Sequence, residues 1–247
     1  MIKLISANWK MNLTPSQTES YLERFLPLVK DVTDREVLLC PSFPSLCVAQ
    51  RMLEGSNVRL GAQNCFYEKK GAFTGEVSID MLKELGVFYV IVGHSERRWI
   101  FGESDELINK KLTACIETGL RPILCVGERI EEREAGLTLK VVETQLRIAL
   151  SGLEAYTDSI DIAYEPVWAI GTGNPATPED AQFVHAFIKD LLSQINPERK
   201  GNTRILYGGS VNPSNAGQFM SMGDVDGLLV GSSSLDPDSF AHIVKSF

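Results

Sequence analysis

The chain has 247 residues, 44% hydrophobic and 23% charged, with a formal net charge of −8. These are ordinary globular proportions, enough to bury a sizeable core without covalent staples. The negative balance and the lack of any basic block argue against a nucleic-acid or anionic-membrane surface, although a small anion can still be held by a local field.

Short apolar, β-branched runs alternate along the chain with stretches of helical period. The first run, IKLISA (2–7), precedes TPSQTESYLERFLPLVK, where Thr14 caps a helix, Pro15 takes its first position and Gln17 completes a capping box. EVLLC (36–40) leads to a helical stretch over 44–54, and VRLGAQ (58–63) to one over 79–85. VFYVIV (87–92) leads to SERRWIF, read as a short helix, and then to a longer helix over 105–118. RPILCV (121–126) precedes a helix over 138–150, and IDIAYE (160–165) precedes TPEDAQFVHAFIKDLLSQI, which Thr177-Pro178 opens as Thr14-Pro15 opens the first. TRILYG (203–208) and VDGLLV (225–230) complete eight runs, and Asn212-Pro213 and Asp236-Pro237 repeat the cap-and-proline opening.

Mostly apolar runs bounded by turn residues suit strands buried on both faces of a parallel sheet. Strand–helix alternation repeated eight times implies an α/β fold with right-handed crossovers. An open doubly wound sheet would usually carry Gly-x-Gly-x-x-Gly after an early strand, and none occurs. The expected architecture is a closed (β/α)8 barrel, eight parallel strands surrounded by helices, as a single domain over 1–247.

No apolar run approaches a membrane span, and MIKLISANWK lacks a basic-then-apolar leader, so a cytoplasmic protein is expected. The five cysteines, Cys40, Cys47, Cys65, Cys115 and Cys125, are odd in number and contain no Cys-x-x-Cys, which favours buried reduced thiols over zinc or disulfides. His94, His185 and His242 show no metal-ligand spacing, and no metal is expected. His185 and His242 fall inside helical stretches and are read as surface or half-buried residues.

In such a barrel the loops after the strands build the active site. Those positions hold Asn8 and Lys10, Gln63 and Asn64, His94-Ser95-Glu96, Cys125 and Glu128, Glu165, Gly208-Gly209-Ser210 and Gly231-Ser232. Two readings of Glu165 stand: a strand-end acid paired with a cation, or a general base whose pKa apolar neighbours raise towards neutrality. His94 precedes a short helix whose N-terminus would favour neutral imidazole, a hydrogen-bond donor; the alternative is a satisfied structural histidine. Glu96 reads as an ion-pair partner or a second catalytic acid, and Arg97 and Arg98 as scaffold charges. Lys10 reads as a solvated surface charge or, at the barrel mouth, as a source of positive potential for an anion. YGGSVNP and LLVGSSS end the last two strands, where barrels frequently bind phosphate with backbone N–H groups.

NWKMN, GAFTGEVS, GHSERR, LCVGE, AYEPVWAIGTG and YGGSVNP follow one another between Asn8 and Leu235, and on them the chain resembles the triosephosphate isomerases. The resemblance implies interconversion of dihydroxyacetone phosphate and glyceraldehyde 3-phosphate without a cofactor. It implies Glu165 as the base, His94 polarising the carbonyl oxygen, Lys10 offsetting negative charge and Asn8 holding the oxygens, with Ser95, Glu96 and Cys125 in support and Glu96 near Lys10. Gly171, Ser210, Gly231 and Ser232 would hold the phosphate. PVWAIGTG would be a lid that strips water from Glu165, with Pro166, Val167 and Trp168 as one hinge and Asn174, Pro175 and Ala176 as the other.

Two departures from the family pattern stand out. Ser232 replaces a glycine in the phosphate loop, bringing a side chain and a narrower backbone range, and Pro175 fixes a φ angle in the far hinge. The segment NCFYEKKGAFTGEVS (64–78) is too long for a plain strand–helix turn, and the resemblance implies a homodimer in which it inserts into the partner with Thr74 crossing the interface. Two rival functions remain compatible with a barrel of this kind, a glycoside hydrolase pairing Glu96 with Glu165 and a non-catalytic phosphometabolite-binding protein.

Overall fold

The computed structural model describes residues 1–169 and 176–247. Eight strands, β1 (Lys3–Asn8), β2 (Arg35–Cys40), β3 (Val58–Ala62), β4 (Tyr89–Val92), β5 (Arg121–Val126), β6 (Asp161–Tyr164), β7 (Ile205–Tyr207) and β8 (Gly227–Val230), pair in parallel in sequence order. β8 returns to β1, with Ala7 opposite Val230, and closes the barrel. All eight expected strands are present, each within a few residues of its sequence bounds.

Between them run α1 (Pro15–Val29), α2 (Leu46–Leu53), α3 (Ile79–Glu84), α4 (Ser95–Trp99), α5 (Asp105–Glu117), α6 (Ile130–Glu134), α7 (Thr138–Ala149), α8 (Pro178–Ile195), α9 (Ala216–Met220) and α10 (Pro237–Val244). The caps work as the sequence suggests. Thr14 accepts from Gln17 N while Gln17 Oε1 accepts from Thr14 N, Thr177 and Asp180 make the same exchange, and Asp236 accepts from Ser239 N. Asn212-Pro213 is the exception. The Asn212 carboxamide accepts from Ser214 N and Asn215 N to form a turn, and α9 starts only after Asn215. An asparagine side chain serves a turn as readily as a helix cap, so the dipeptide alone does not decide.

Two-residue periodicity divides the buried side chains. One face of the strands points inward and packs Leu4, Leu38, Tyr89, Ile91, Ile123, Ala163 and Leu206 on the barrel axis. The other packs against the helices in a larger apolar layer. A strand's alternate residues share a face, so Asp161, Ala163 and Glu165 are all directed inward. The first lies at the barrel floor and the last at its mouth.

His185 corrects a sequence expectation. It is fully buried on the inner face of α8, its ring edge-on to Tyr164 and its Nδ1 3.2 Å from the Asp224 carbonyl. Burial pushes its pKa down to about 4. The helical period placed it near Val184 and Ile188 on the buried face; its polarity misled. His242 is exposed, as expected.

Candidate active site

The mouth of the barrel holds a cavity of about 440 Å³, lined among others by Asn8, Lys10, His94, Glu165, Ser210, Gly231 and Ser232. That size suits a small metabolite. The sequence-derived groups from β1, β4, β6, β7 and β8 therefore share one chamber.

Glu165 follows β6 and is 2% exposed. Its backbone N donates to Val126 O at 2.8 Å, and a Cβ on Gly127 would overlap the Glu165 carbonyl oxygen, so the two strand ends can approach this closely only with glycine there. The carboxylate accepts from Ser95 N (2.9 Å) and Ser95 Oγ (3.0 Å), and its Oε1 lies 3.0 Å from His94 Nε2. Ser95 is the first residue of α4, so the acid also sits at a helix N-terminus, where anions are favoured. Burial pushes the Glu165 carboxyl up, but the His94 imidazole and the two Ser95 donors outweigh it and hold the pKa below its ordinary value. This reverses the upward shift expected from apolar neighbours: the sequence could not show how many donors converge on the acid.

His94 caps α4 through its side chain, with Nδ1 accepting from Glu96 N at 3.2 Å. Its proton therefore sits on Nε2, pointed at Glu165. Burial favours neutral imidazole, yet the Glu165 carboxylate pulls the His94 pKa up on balance. The helix N-terminus is where the sequence put it; against burial, the Glu165 and Glu96 carboxylates together raise the pKa.

Lys10 takes a left-handed conformation, φ 53°, uncommon for a side-chain-bearing residue. The turn is held by Lys10 N donating to Asn8 Oδ1 (3.0 Å) and by Gln63 Nε2 donating to Lys10 O (2.8 Å). Lys10 Nζ pairs with Glu96 Oε1 at 2.8 Å. Glu96 is thus Lys10's partner, and this pairing argues against its serving as a second catalytic carboxylate. Arg98 is a scaffold charge, buried and donating to Gly93 O, Cys125 O and Asp105. Cys125 lies inside the barrel near Glu165, and burial raises its thiol pKa well above the ordinary value.

At the other side of the cavity, Ser210 Oγ donates to Ala169 O at 2.8 Å, tying the loop after β7 to the turn that follows Glu165. Gly231 precedes a single 3₁₀ turn, Ser232–Ser234, in which Ser234 Oγ donates back to Gly231 O. Lys10 Cε lies 3.5 Å from where a Gly231 Cβ would stand, so the ammonium stem runs past this loop. Thr74 is exposed on the 64–78 segment.

Glu128 received no role in the sequence reading and proves central to the segment after Glu165. Fully buried, it accepts from Trp168 Nε1 (2.8 Å), from Tyr164 Oη (3.1 Å) and from Thr138 Oγ1 (3.3 Å). Val167 N donates to Glu128 O at 3.1 Å, and the Arg133 guanidinium covers the Trp168 ring at 3.9 Å. Burial raises the Glu128 pKa despite these donors. An acid directly behind an apolar strand and a glycine, as in LCVGE, was the available signal. Pro166, Val167 and Trp168 thus start from a fixed base, with Val167–Ala169 forming a 3₁₀ turn. Ala176 is buried; Gly171, Asn174 and Pro175 lie outside the described residues.

A closed parallel barrel with a buried carboxylate, an imidazole and a lysine converging at its C-terminal mouth defines a (β/α)8-barrel enzyme equipped for acid–base chemistry. The family model described as triosephosphate isomerase matches residues 3–247, and the chain belongs to that family. It is 66% identical over 247 residues to the triosephosphate isomerase of Aquifex aeolicus (strain VF5), covering 100% of both chains. It is 51% identical over 246 residues to that of Dictyoglomus thermophilum, covering 99% of each. Against the enzyme of Carboxydothermus hydrogenoformans the identity is 52% over 243 residues, covering 98% of this chain and 97% of the relative.

Proposed function

We propose that the chain is a triose-phosphate isomerase, interconverting dihydroxyacetone phosphate and D-glyceraldehyde 3-phosphate through an enediolate in glycolysis and gluconeogenesis. The observation that carries this reading is the convergence of Glu165 and His94, 3.0 Å apart, in the cavity that Lys10 and the Gly231-Ser232 loop also line. Glu165 takes a proton from the carbon beside the carbonyl and returns it to the neighbouring carbon. His94 Nε2–H donates to the carbonyl oxygen, Asn8 orients the oxygens, and Lys10 balances the negative charge. The phosphate rests on N–H groups of Gly171, Ser210, Gly231 and Ser232.

The substrate-free geometry adds a step. Glu165 cannot reach a substrate carbon while Ser95 and His94 hold its oxygens. As it gives these donors up, the influences that lower its pKa vanish and burial alone acts on it. The carboxylate becomes a stronger base as it engages the substrate. The lid over 166–176 supplies the dry environment this requires and protects the enediolate from losing phosphate. Ser232 and Pro175 adjust phosphate grip and lid closure in this reading.

Turnover of glyceraldehyde 3-phosphate by the purified protein tests the assignment. Glu165→Asp and His94→Gln should each lower kcat by about 10²–10³-fold. An inactive parent protein that still binds inorganic phosphate would instead indicate a binding protein, and hydrolysis of a glycoside would indicate a hydrolase.

The chain acts as one domain in the cytoplasm, and among the described residues no helix is long and apolar enough to cross a membrane. We assign it a homodimer built on segment 64–78, with Thr74 entering the partner. Supporting this are exposed apolar groups on that segment and on the chain around Met11 and Trp99–Phe101. In sedimentation, Thr74→Arg should give monomers with kcat reduced about 10²-fold, through misplacement of Lys10; an active monomeric parent would refute the interface.

A further inference from the structure

Cys65 opens the 64–78 segment and Cys115 lies in the last full turn of α5. Both are buried, at 1% and 0% exposure, and their Sγ atoms stand 3.7 Å apart. The remaining thiols have other surroundings: Cys47 is exposed, while Cys40 and Cys125 lie inside the barrel. Independent contacts hold together the elements that carry the pair. Lys111, one turn before Cys115, donates to Asn64 Oδ1 at 2.8 Å and to Glu103 Oε1 at 2.6 Å, and Asn64 adjoins Cys65. A cavity of about 30 Å³ lies between Phe66, Tyr67, Ala114 and Thr118, chain neighbours of the two cysteines. It has the volume of about one water molecule. A disulfide has an S–S length of about 2.05 Å, so closure asks the sulfurs to approach by about 1.7 Å in all, shared between two side chains.

We propose that Cys65 and Cys115 are a two-electron redox pair, which hydrogen peroxide closes to a disulfide and two equivalents of a small thiol reopen by successive exchange, leaving as their own disulfide. One sulfur, as thiolate, attacks a peroxide oxygen. The O–O bond breaks, and the departing hydroxide takes up the thiol proton as water, leaving a sulfenic acid. The second sulfur attacks that sulfenic sulfur, the S–S bond forms, and the hydroxyl leaves with the second thiol proton as another water. The product ties the root of the 64–78 segment to α5. The Cys65 contact and burial both raise the Cys115 pKa well above its ordinary value. Thiolate is scarce at neutral pH, so closure is slow and waits on local opening of the segment.

The test uses the full chain with Cys47→Ser, to remove the exposed thiol. The protein is incubated with hydrogen peroxide, unfolded in an alkylating agent and mapped by mass spectrometry. Two of the four remaining thiols should disappear into one cross-linked Cys65–Cys115 peptide, and dithiothreitol should restore them. The oxidised form should melt about 5 °C higher, because the bond removes loop entropy from the unfolded chain. Adding Cys115→Ser should abolish both the peptide and the shift, and Cys65→Ala serves where that variant does not fold. Thiol loss without this peptide, sulfinic acid at either position, cross-linking only after denaturation, or a lower melting temperature would overturn the proposal.

Discussion

At Ser95 the chemistry of one side chain can be separated from its fold. Ser95 gives Glu165 two donors, and only the hydroxyl can be removed by mutation. Both lower the Glu165 pKa. Ser95→Ala should therefore raise it, moving the acid limb of the kcat/KM profile to higher pH, since that profile reports the free enzyme. The substrate phosphate also titrates near pH 6, but equally against both proteins, so the difference between profiles isolates Glu165. An unmoved limb, or one displaced to lower pH, would mean that Ser95 does not hold the base in solution.

Between elements, the packing of α8 on β6 carries an acid sensitivity. His185 has a pKa of about 4 when folded and about 6.5 as an unperturbed side chain. Between those values the unfolded chain binds the extra proton, so stability is complete above about pH 6.5 and falls as pH drops towards 4. The full loss is about 3 kcal/mol. His185→Phe keeps a ring against Tyr164 and removes the titration. Its fixed cost, from the unpaired Asp224 carbonyl, applies equally at every pH. Denaturant unfolding at pH 7 and pH 4.5 should show the parent losing about 2 kcal/mol more than the variant; equal losses would exclude His185 as the cause. The same residue marks where sequence reading stops. Strand positions were legible because apolar runs between turn residues have few other uses, and two helix starts carried reciprocal capping boxes. Burial of a polar group was not legible at His185 or Glu128, because each is accommodated by partners distant in sequence. Glu128 needs Tyr164 from the end of β6 and Trp168 from beyond it, and His185 needs a carbonyl from the turn before β8.

Across the whole molecule the barrel is polar at both ends for different reasons. Asp161 and Glu165 share the inward face of β6 and its extension, four residues or about 13 Å apart, with Ala163 between them in the apolar centre. At the floor, Asp161 is fully buried and accepts from Arg121 and Arg204, while Arg204 also reaches Glu36 (2.7 Å) and Tyr89 Oη (2.8 Å). This network joins β2, β4, β5 and β6 to the residue just before β7 across the axis. Charges are paired at both ends, but at the mouth Lys10, His94 and Glu165 also line the site cavity, where a ligand can compete for them. Removing Asp161 would strand the Arg204 guanidinium, and breaking a buried pair costs about 3–5 kcal/mol. Glu36 and Tyr89 still serve Arg204, so Asp161→Ala should cost about 3 kcal/mol in denaturant unfolding. Catalysis belongs to the opposite rim, so kcat per folded molecule should stay within about twofold, since sites this far apart with no shared partners behave independently. A large fall in kcat with native stability intact would show that the floor sets the geometry of the mouth.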